Sequence, residues 1–283
     1  MRRGSRAAFD PRTTVPVTLV DPASPPTPGR TQVLCVRFTQ SFDMLPRFVG
    51  RLSLADAVTT TNACLGFVAV VLAFADPELA ARVVLLAGIA DGLDGVVARY
   101  SGGSAAGPYL DSLADVASFC VAPAVVVYVT VRDAWNLSVS WPEALLVPVL
   151  LVPALFVAMG VVRLGLYTAH DTADDYTEGV QTTLAATILA AAVLSGVTDP
   201  RVLLGATAAF VYLMVSTITY PDLLARDALL MGVVHALAVL APYAFGRTFP
   251  YAILTLGVAY LVAGPWFYWR NDDPPVANLY GNA

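Results

Sequence analysis

The 283-residue sequence contains no lysine; all 16 of its basic side chains are arginine. Against 21 acidic residues they leave a net charge of −5, which excludes the basic stripe that a nucleic-acid-binding surface needs. Charge of either sign is scarce, at 13% of residues, where a soluble domain carries nearer a quarter. Histidine occurs only as His170 and His235, without partner spacing, so neither reads as a metal ligand. The three cysteines, Cys35, Cys64 and Cys120, lack metal-type spacing, and no disulfide is expected. A lysine-free, acidic balance fits a GC-rich gene and a salt-adapted host.

What fills the chain instead is apolar, 57% of all residues. Residues 1–43 hold four early arginines and the proline-rich DPASPPTPGR, with no apolar run after the arginines. That excludes a signal peptide and predicts a disordered tail, or a true start at Met44. Residues 44–58 mix apolar side chains with Arg47 and Arg51, as an interfacial helix does. Eight apolar segments follow, near 59–75, 79–99, 107–131, 142–166, 177–197, 201–219, 227–244 and 249–269. Each approaches the ~20 residues that span a bilayer core. The fold class is therefore an all-α polytopic membrane protein, with WFYW at the end of the last span as an interfacial belt and 271–283 as a C-terminal tail. With the N-terminus inside, inner flanks carry Arg47, Arg51, Arg99, Arg163, Arg226 and Arg270. Outer flanks carry Arg82, Arg132, Arg201 and Arg247, a modest positive-inside bias. HDTADDYTE (170–178) reads as a solvated acidic loop on the inner side.

One stretch breaks the avoidance of charge. IADGLDGVVARYSGGSAAGPYLDSLAD puts Asp91, Asp94, Asp111 and Asp115 at the edges of two apolar segments. Asp91 and Asp94 share a helix face, as do Asp111 and Asp115. The glycine-rich connection makes the two spans antiparallel neighbours, so the four carboxylates are expected to converge near the inner membrane surface. Such a cluster repels itself and is costly in a membrane. Divalent cations relieve both problems, and all-oxygen ligands suit Mg²⁺ or Mn²⁺. Two ions would suit a pyrophosphate substrate. Gly95, Ala98 and Gly107 leave room for a ligand against the backbone. A cation-coupled transporter also places acids in the membrane, and that alternative stays open.

D91-G-L-D94-G95-V-V-A98-R99, a short spacer, then G107-P-Y-L-D111-S-L-A-D115 resembles the signature of the CDP-alcohol phosphatidyltransferases. The resemblance implies a six-helix membrane core, often dimeric, that moves a lipid phosphoryl group from a CDP-activated donor to an alcohol and releases CMP. It implies that Asp91, Asp94, Asp111 and Asp115 hold the metals and that Asp115 is also the base. It implies CDP-lipid contacts from Asp56, Thr59, Asn62, Gly95, Ala98, Arg99 and Gly107. DSLADVASFCVAPAVVVY (111–128), LADAVTTTNACLGF (54–67) and LMVSTITYPDL (213–223) further resemble the phosphatidylserine synthases. Serine is thus the expected acceptor, the core covers 59–220, and 221–270 holds two additional spans. Asp56 stands where asparagine is usual, R163-L-G-L-Y-T replaces R-L-x-R-F-N, and G179-V-Q-T-T replaces G-L-P-T-P. Arg163 is expected on the lipid phosphate or the serine carboxylate. Glycerol phosphate or inositol phosphate remain alternative acceptors; with only Arg99 and Arg163 near the site, zwitterionic serine fits better. In an archaeal host the donor would be CDP-archaeol.

Overall fold

The structure, a computed structural model, describes residues 52–137, 146–171, 176–221 and 225–267. The expected tails, residues 44–51 of the expected interfacial helix and the end of the aromatic belt lie outside the described residues. Ser53 and Asp56 close a capping box, so α1 (Leu54–Ala73) begins at Leu54. Residues 54–58, expected in the interfacial helix, are therefore the first turn of the first span. Helix α2 (Pro77–Ser101) starts with Asp76 as N-cap and a proline in its first turn.

The third span is continuous from Gly107 to Ala134 but changes winding midway. It runs as α3 (Gly107–Asp115), a π-helical turn over Val116–Val121, then α4 (Ala122–Ala134). Then come α5 (Leu146–Leu166), a second π-helical turn (Tyr167–Asp171), α6 (Thr182–Leu194) and α7 (Pro200–Leu213). Two more helices, α8 (Ala225–Leu240) and α9 (Thr248–Phe267), complete the bundle. Two short strands, β1 (Tyr176–Glu178) and β2 (Thr219–Pro221), pair antiparallel with Thr177 opposite Tyr220.

Among the described residues, four helical stretches are long and apolar enough to cross a membrane: Leu54–Ala73, Gly107–Ala134, Leu146–Ala169 and Thr248–Trp266. Helix α2 has 25 residues, about 37 Å at 1.5 Å per residue, and is set apart by its acids rather than its length. Large side chains such as Phe67, Val71, Leu151, Val162, Leu229 and Val262 face outward. A soluble bundle would bury them, whereas a bilayer accepts them. The chain is a multi-pass membrane protein.

The core lies between α2, α4 and α6, where Leu85, Val126, Val127, Leu189 and Leu194 are buried. Helix α1 packs along α2 and α3, while α8 lies on α2 and α9 on α6 and α8. The α8–α9 turn is tied back to α2, because Arg247 donates two hydrogen bonds to Glu78 Oε1, both 3.1 Å, and one to the Leu194 carbonyl at 2.7 Å. Arg82 Nε donates to the Val239 carbonyl at 2.9 Å, which joins the start of α2 to the end of α8.

Two glycines let neighbours close on the first π-helical turn. A Cβ at Gly66 would lie 2.7 Å from the Ala117 carbonyl carbon, and one at Gly160 would lie 2.5 Å from Cys120 Sγ. The first clash is with backbone and has no flexible way out. Gly66→Ala is therefore expected to cost about 1–3 kcal/mol, as overpacking does. Thermal unfolding in detergent would show it as a lowered midpoint, and an unchanged midpoint would deny the close approach.

Candidate active site

The π-helical turn follows directly on Asp115. One added residue per turn rotates everything after it, and such turns concentrate at functional sites. Here it lets Ser118 Oγ reach both the Asn62 carbonyl on α1 and the Ala114 carbonyl on its own helix, each at 2.9 Å. Asn62 is fully buried and its Nδ2 donates to Asp115 Oδ1 at 3.4 Å. Asp115 is itself 7% exposed. Asn62, expected to contact the donor lipid, thus turns its amide toward Asp115.

Three of the four expected aspartates meet. Asp91, Asp111 and Asp115 each offer a carboxylate oxygen, all within 4.8 Å of one another. Three carboxylates this close repel when all are ionised, and an all-oxygen donor set fits a hard divalent ion. Asp94 is placed differently. Its Oδ2 accepts a hydrogen bond of 2.7 Å from Thr59 Oγ1, which aims it toward α1. Helical periodicity gave Asp94 the same face as Asp91; the Thr59 hydroxyl decides where its oxygens point.

Asp91, Asp111 and Asp115 line a cleft of about 200 Å³. Its other walls include Arg163 from the end of α5, Tyr167 from the π-helical turn after it, Thr177 from β1, and Gln181, Thr182 and Thr183 at the start of α6. Arg163 is 7% exposed, its Nη2 donates to Thr177 Oγ1 at 3.0 Å, and its guanidinium carbon lies 5.5 Å from the Tyr167 ring centre. Thr168 Oγ1 donates to the Leu164 carbonyl, so the hydrogen shared with Ser112 must come from Ser112. That bond ties α3 to the end of α5.

The remaining expected residues sit around this cleft rather than in it. Asp56 is buried, with Oδ2 accepting from the Ser53 amide at 2.6 Å; its carboxylate serves the helix cap. Gly107 faces it, since a Cβ there would lie 3.5 Å from Asp56 Oδ1. The space beside Gly95 is open. Arg99 Nε donates to the Gly95 carbonyl of its own helix at 3.1 Å. Arg99 lines a second, larger cavity of about 710 Å³ between α2, α6, α8 and α9. Gly88, Gly92, Val96, Leu184, Leu229 and Gly232 form its walls, and Asp91, Gln181 and Thr183 belong to both cavities. His235 lines it too, with Nδ1 2.8 Å from the Met231 carbonyl.

The expectation of a solvated loop over 170–178 needs correction at its end. Residues 172–175 lie outside the described residues, but Thr177 is a buried strand residue bonded to Arg163. The sequence gives no warning of this contact, because it joins positions 14 apart across a polar connection. Gln181 was also missed, although it stands inside the departure G179-V-Q-T-T.

The sequence pattern of the CDP-alcohol phosphatidyltransferase family matches residues 52–241. A CDP-diacylglycerol–serine O-phosphatidyltransferase of Mycobacterium leprae is 41% identical over 101 residues, covering 35% of this chain and 33% of that protein. Its Mycobacterium tuberculosis counterpart is 40% identical over the same length, with 35% of each chain covered. The chain thus spans about a third of the length of these mycobacterial relatives. An archaetidylserine synthase of Methanothermobacter thermautotrophicus is 30% identical over 175 residues, 60% of this chain and 70% of that protein.

Proposed function

The chain belongs to the CDP-alcohol phosphatidyltransferase family, and on that premise we propose that it transfers the phosphatidyl or archaetidyl group of a CDP-activated lipid to the hydroxyl of L-serine, releasing CMP. The observation that carries the reading is that Asp91, Gln181 and Thr183 line two cavities at once: a polar cleft with three carboxylates and one arginine, and an apolar groove beside it. A donor with a charged pyrophosphate and two long chains needs both. The relatives that act on serine and on an archaetidyl donor point the same way.

Mg²⁺ or Mn²⁺ ions, most simply two, held by Asp91, Asp94, Asp111 and Asp115, would neutralise the pyrophosphate and the departing CMP. The protein's own groups supply the rest. Asp115, whose Oδ1 lies 3.4 Å from Asn62 Nδ2, accepts the serine hydroxyl proton. The freed oxygen bonds to the phosphorus bearing the lipid, the bond from that phosphorus to CMP breaks, and CMP leaves with the electron pair. Arg163 holds the serine carboxylate through the paired N–H donors of its guanidinium. The open backbone at Gly92 and Gly95 lets the donor lie against α2. The lysine-free acidic composition and the likeness to an archaetidylserine synthase favour CDP-archaeol as the donor. The arginine bias favours the cytoplasmic face of the cytoplasmic membrane for the cleft, and the family resemblance favours a homodimer as the working form.

The test uses purified protein with a CDP-lipid and each alcohol in turn, following CMP. Serine is expected to drive release, and glycerol 3-phosphate and inositol 1-phosphate are not. Faster release with glycerol 3-phosphate would overturn serine but keep the transferase. Cation transport into vesicles with no CMP from any alcohol would overturn the enzyme.

The groove makes its own prediction. No atom lies within 4 Å of a Cβ built at Gly232, so Gly232→Leu adds bulk to the groove without a clash at its root. The KM for CDP-lipid is expected to rise on the order of tenfold, the kinetic equivalent of ~1.4 kcal/mol of overpacking, with the serine KM unchanged. An unchanged donor KM would place the lipid chains elsewhere.

A further inference from the structure

The larger cavity is walled mostly by apolar side chains and glycine, yet two buried polar side chains that the transfer chemistry does not use open onto it. Thr187 on α6 is 7% exposed and His235 on α8 is 9% exposed. Helices α2 and α9 each pack on both α6 and α8, so the two side chains stand on facing walls of the groove.

A threonine inside a helix readily turns its hydroxyl back to the carbonyl one turn earlier. Thr59, Thr130 and Thr207 do so, at 3.1, 2.8 and 2.7 Å. Thr187 does not, and its Oγ1 has no hydrogen-bond partner among the described residues. Its hydroxyl hydrogen is left to the groove. His235 offers the converse. Its Nδ1 stands 2.8 Å from the Met231 carbonyl of its own helix. A carbonyl only accepts, so the hydrogen of that bond sits on Nδ1, and in the neutral ring Nε2 is a bare acceptor. Nε2 lies on the ring edge away from that backbone contact and has no partner among the described residues. Polar atoms buried without partners destabilise a fold. A groove with one lone donor and one lone acceptor is matched by a ligand that supplies the reverse of each.

Depth decides which part of a lipid that is. Thr183 belongs to both cavities, and Thr187 lies one turn further along α6, about 6 Å away at 1.5 Å per residue. With the donor's phosphorus at the carboxylates, the glycerol and the first carbons of the chains fall at that level. Ether or ester oxygens there accept hydrogen bonds and suit Thr187. None of them donates, so an unsubstituted glycerolipid leaves His235 Nε2 without a partner. A hydroxyl beside the linkage supplies the missing donor. Gly88 on α2 leaves space for it, since no atom lies within 4 Å of a Cβ built there.

We propose that the groove selects a CDP-lipid carrying a hydroxyl close to its glycerol linkage, with His235 Nε2 accepting from that hydroxyl and Thr187 Oγ1 donating to a linkage oxygen. The inference rests on the reading of the groove as the site of the donor's lipid. It makes His235 a specificity residue that stands outside the carboxylate cleft.

Two CDP-lipids that differ by one hydroxyl, on the first few carbons of one chain, test it. Binding is read without serine, from the rise of the thermal unfolding midpoint with lipid concentration. Wild type is expected to bind the hydroxylated lipid about fivefold more tightly, the worth of one neutral hydrogen bond. His235→Phe keeps a ring and loses Nε2. It should weaken the hydroxylated lipid to the level of the plain one and leave the plain one within about twofold. If His235→Phe does not fold, His235→Leu makes the same test. Thr187→Val keeps the volume and loses the hydroxyl, and it should weaken both lipids by a like factor. A preference that survives the loss of His235 would overturn the inference, as would equal weakening of both lipids by that loss. Equal binding of the two lipids by wild type, with serine-dependent CMP release intact, would overturn it and leave the transfer reading standing. A His235-dependent preference in a protein that releases no CMP with serine would keep it and overturn the serine reading instead.

Discussion

Asp115→Asn is expected to lower turnover by about 10²–10⁴-fold, the contribution of a positioned base. The substitution is nearly isosteric, so the buried site keeps its packing. The amide retains one oxygen as an acceptor, and Asn62 behind it is undisturbed. What is lost is the ability to take the serine proton as the new bond to phosphorus forms. The loss should fall on kcat rather than on the KM for CDP-lipid, since the interaction is made in the transition state. Single-turnover CMP release at saturating serine measures it. A variant retaining wild-type turnover would remove Asp115 from the role of base and leave it a wall of the cleft.

Asp91→Asn, Asp94→Asn and Asp111→Asn are expected to reduce CMP release to background while the protein remains inserted and folded. Asp91 and Asp111 come from different helices and meet only because α2 and α3 both pack on α1. Neutralising either removes a ligand and the charge that draws the ion in. Asp94 acts from one turn away, held by Thr59. Chelation of the wild type should give the same loss, reversed by Mg²⁺ or Mn²⁺. Direct titration with Mn²⁺, followed by its paramagnetic signal, gives a reading independent of turnover: weaker binding in Asp91→Asn and Asp111→Asn. Full activity in excess chelator would remove the metal from the account.

Much of this was legible in the sequence because it depends on period and composition. The eight apolar segments correspond to the long spans and helices observed, with boundaries shifted by a few residues. Capping chemistry accounts for part of the shift: Ser53 and Asp56 set the start of α1, and Asp76 that of α2. The face shared by Asp111 and Asp115 followed from helical spacing, and both do reach Asp91.

The rest was hidden for physical reasons. VASFCV is apolar apart from Ser118, so one extra residue in a turn leaves no trace in the pattern, and the π-helical winding after Asp115 could not be read. The strands around Thr177 and Tyr220 are three residues each, too short for an alternation to show. Asp94 was placed by its helix position, whereas its oxygens were placed by Thr59, a partner 35 residues away. Asn62 matched a pattern associated with the donor, but its amide faces Asp115. For Asp94 and Asn62 the backbone position was readable and the partner of the side chain was not.

The central claim is that the cleft at Asp91, Asp111 and Asp115 joins a CDP-lipid to serine. Incorporation of labelled L-serine into extractable lipid by the purified protein measures that directly. Label is expected in lipid only when CDP-lipid is present, with one CMP released for each serine incorporated. CMP release without label in lipid, or label in lipid without CDP-lipid, would contradict it.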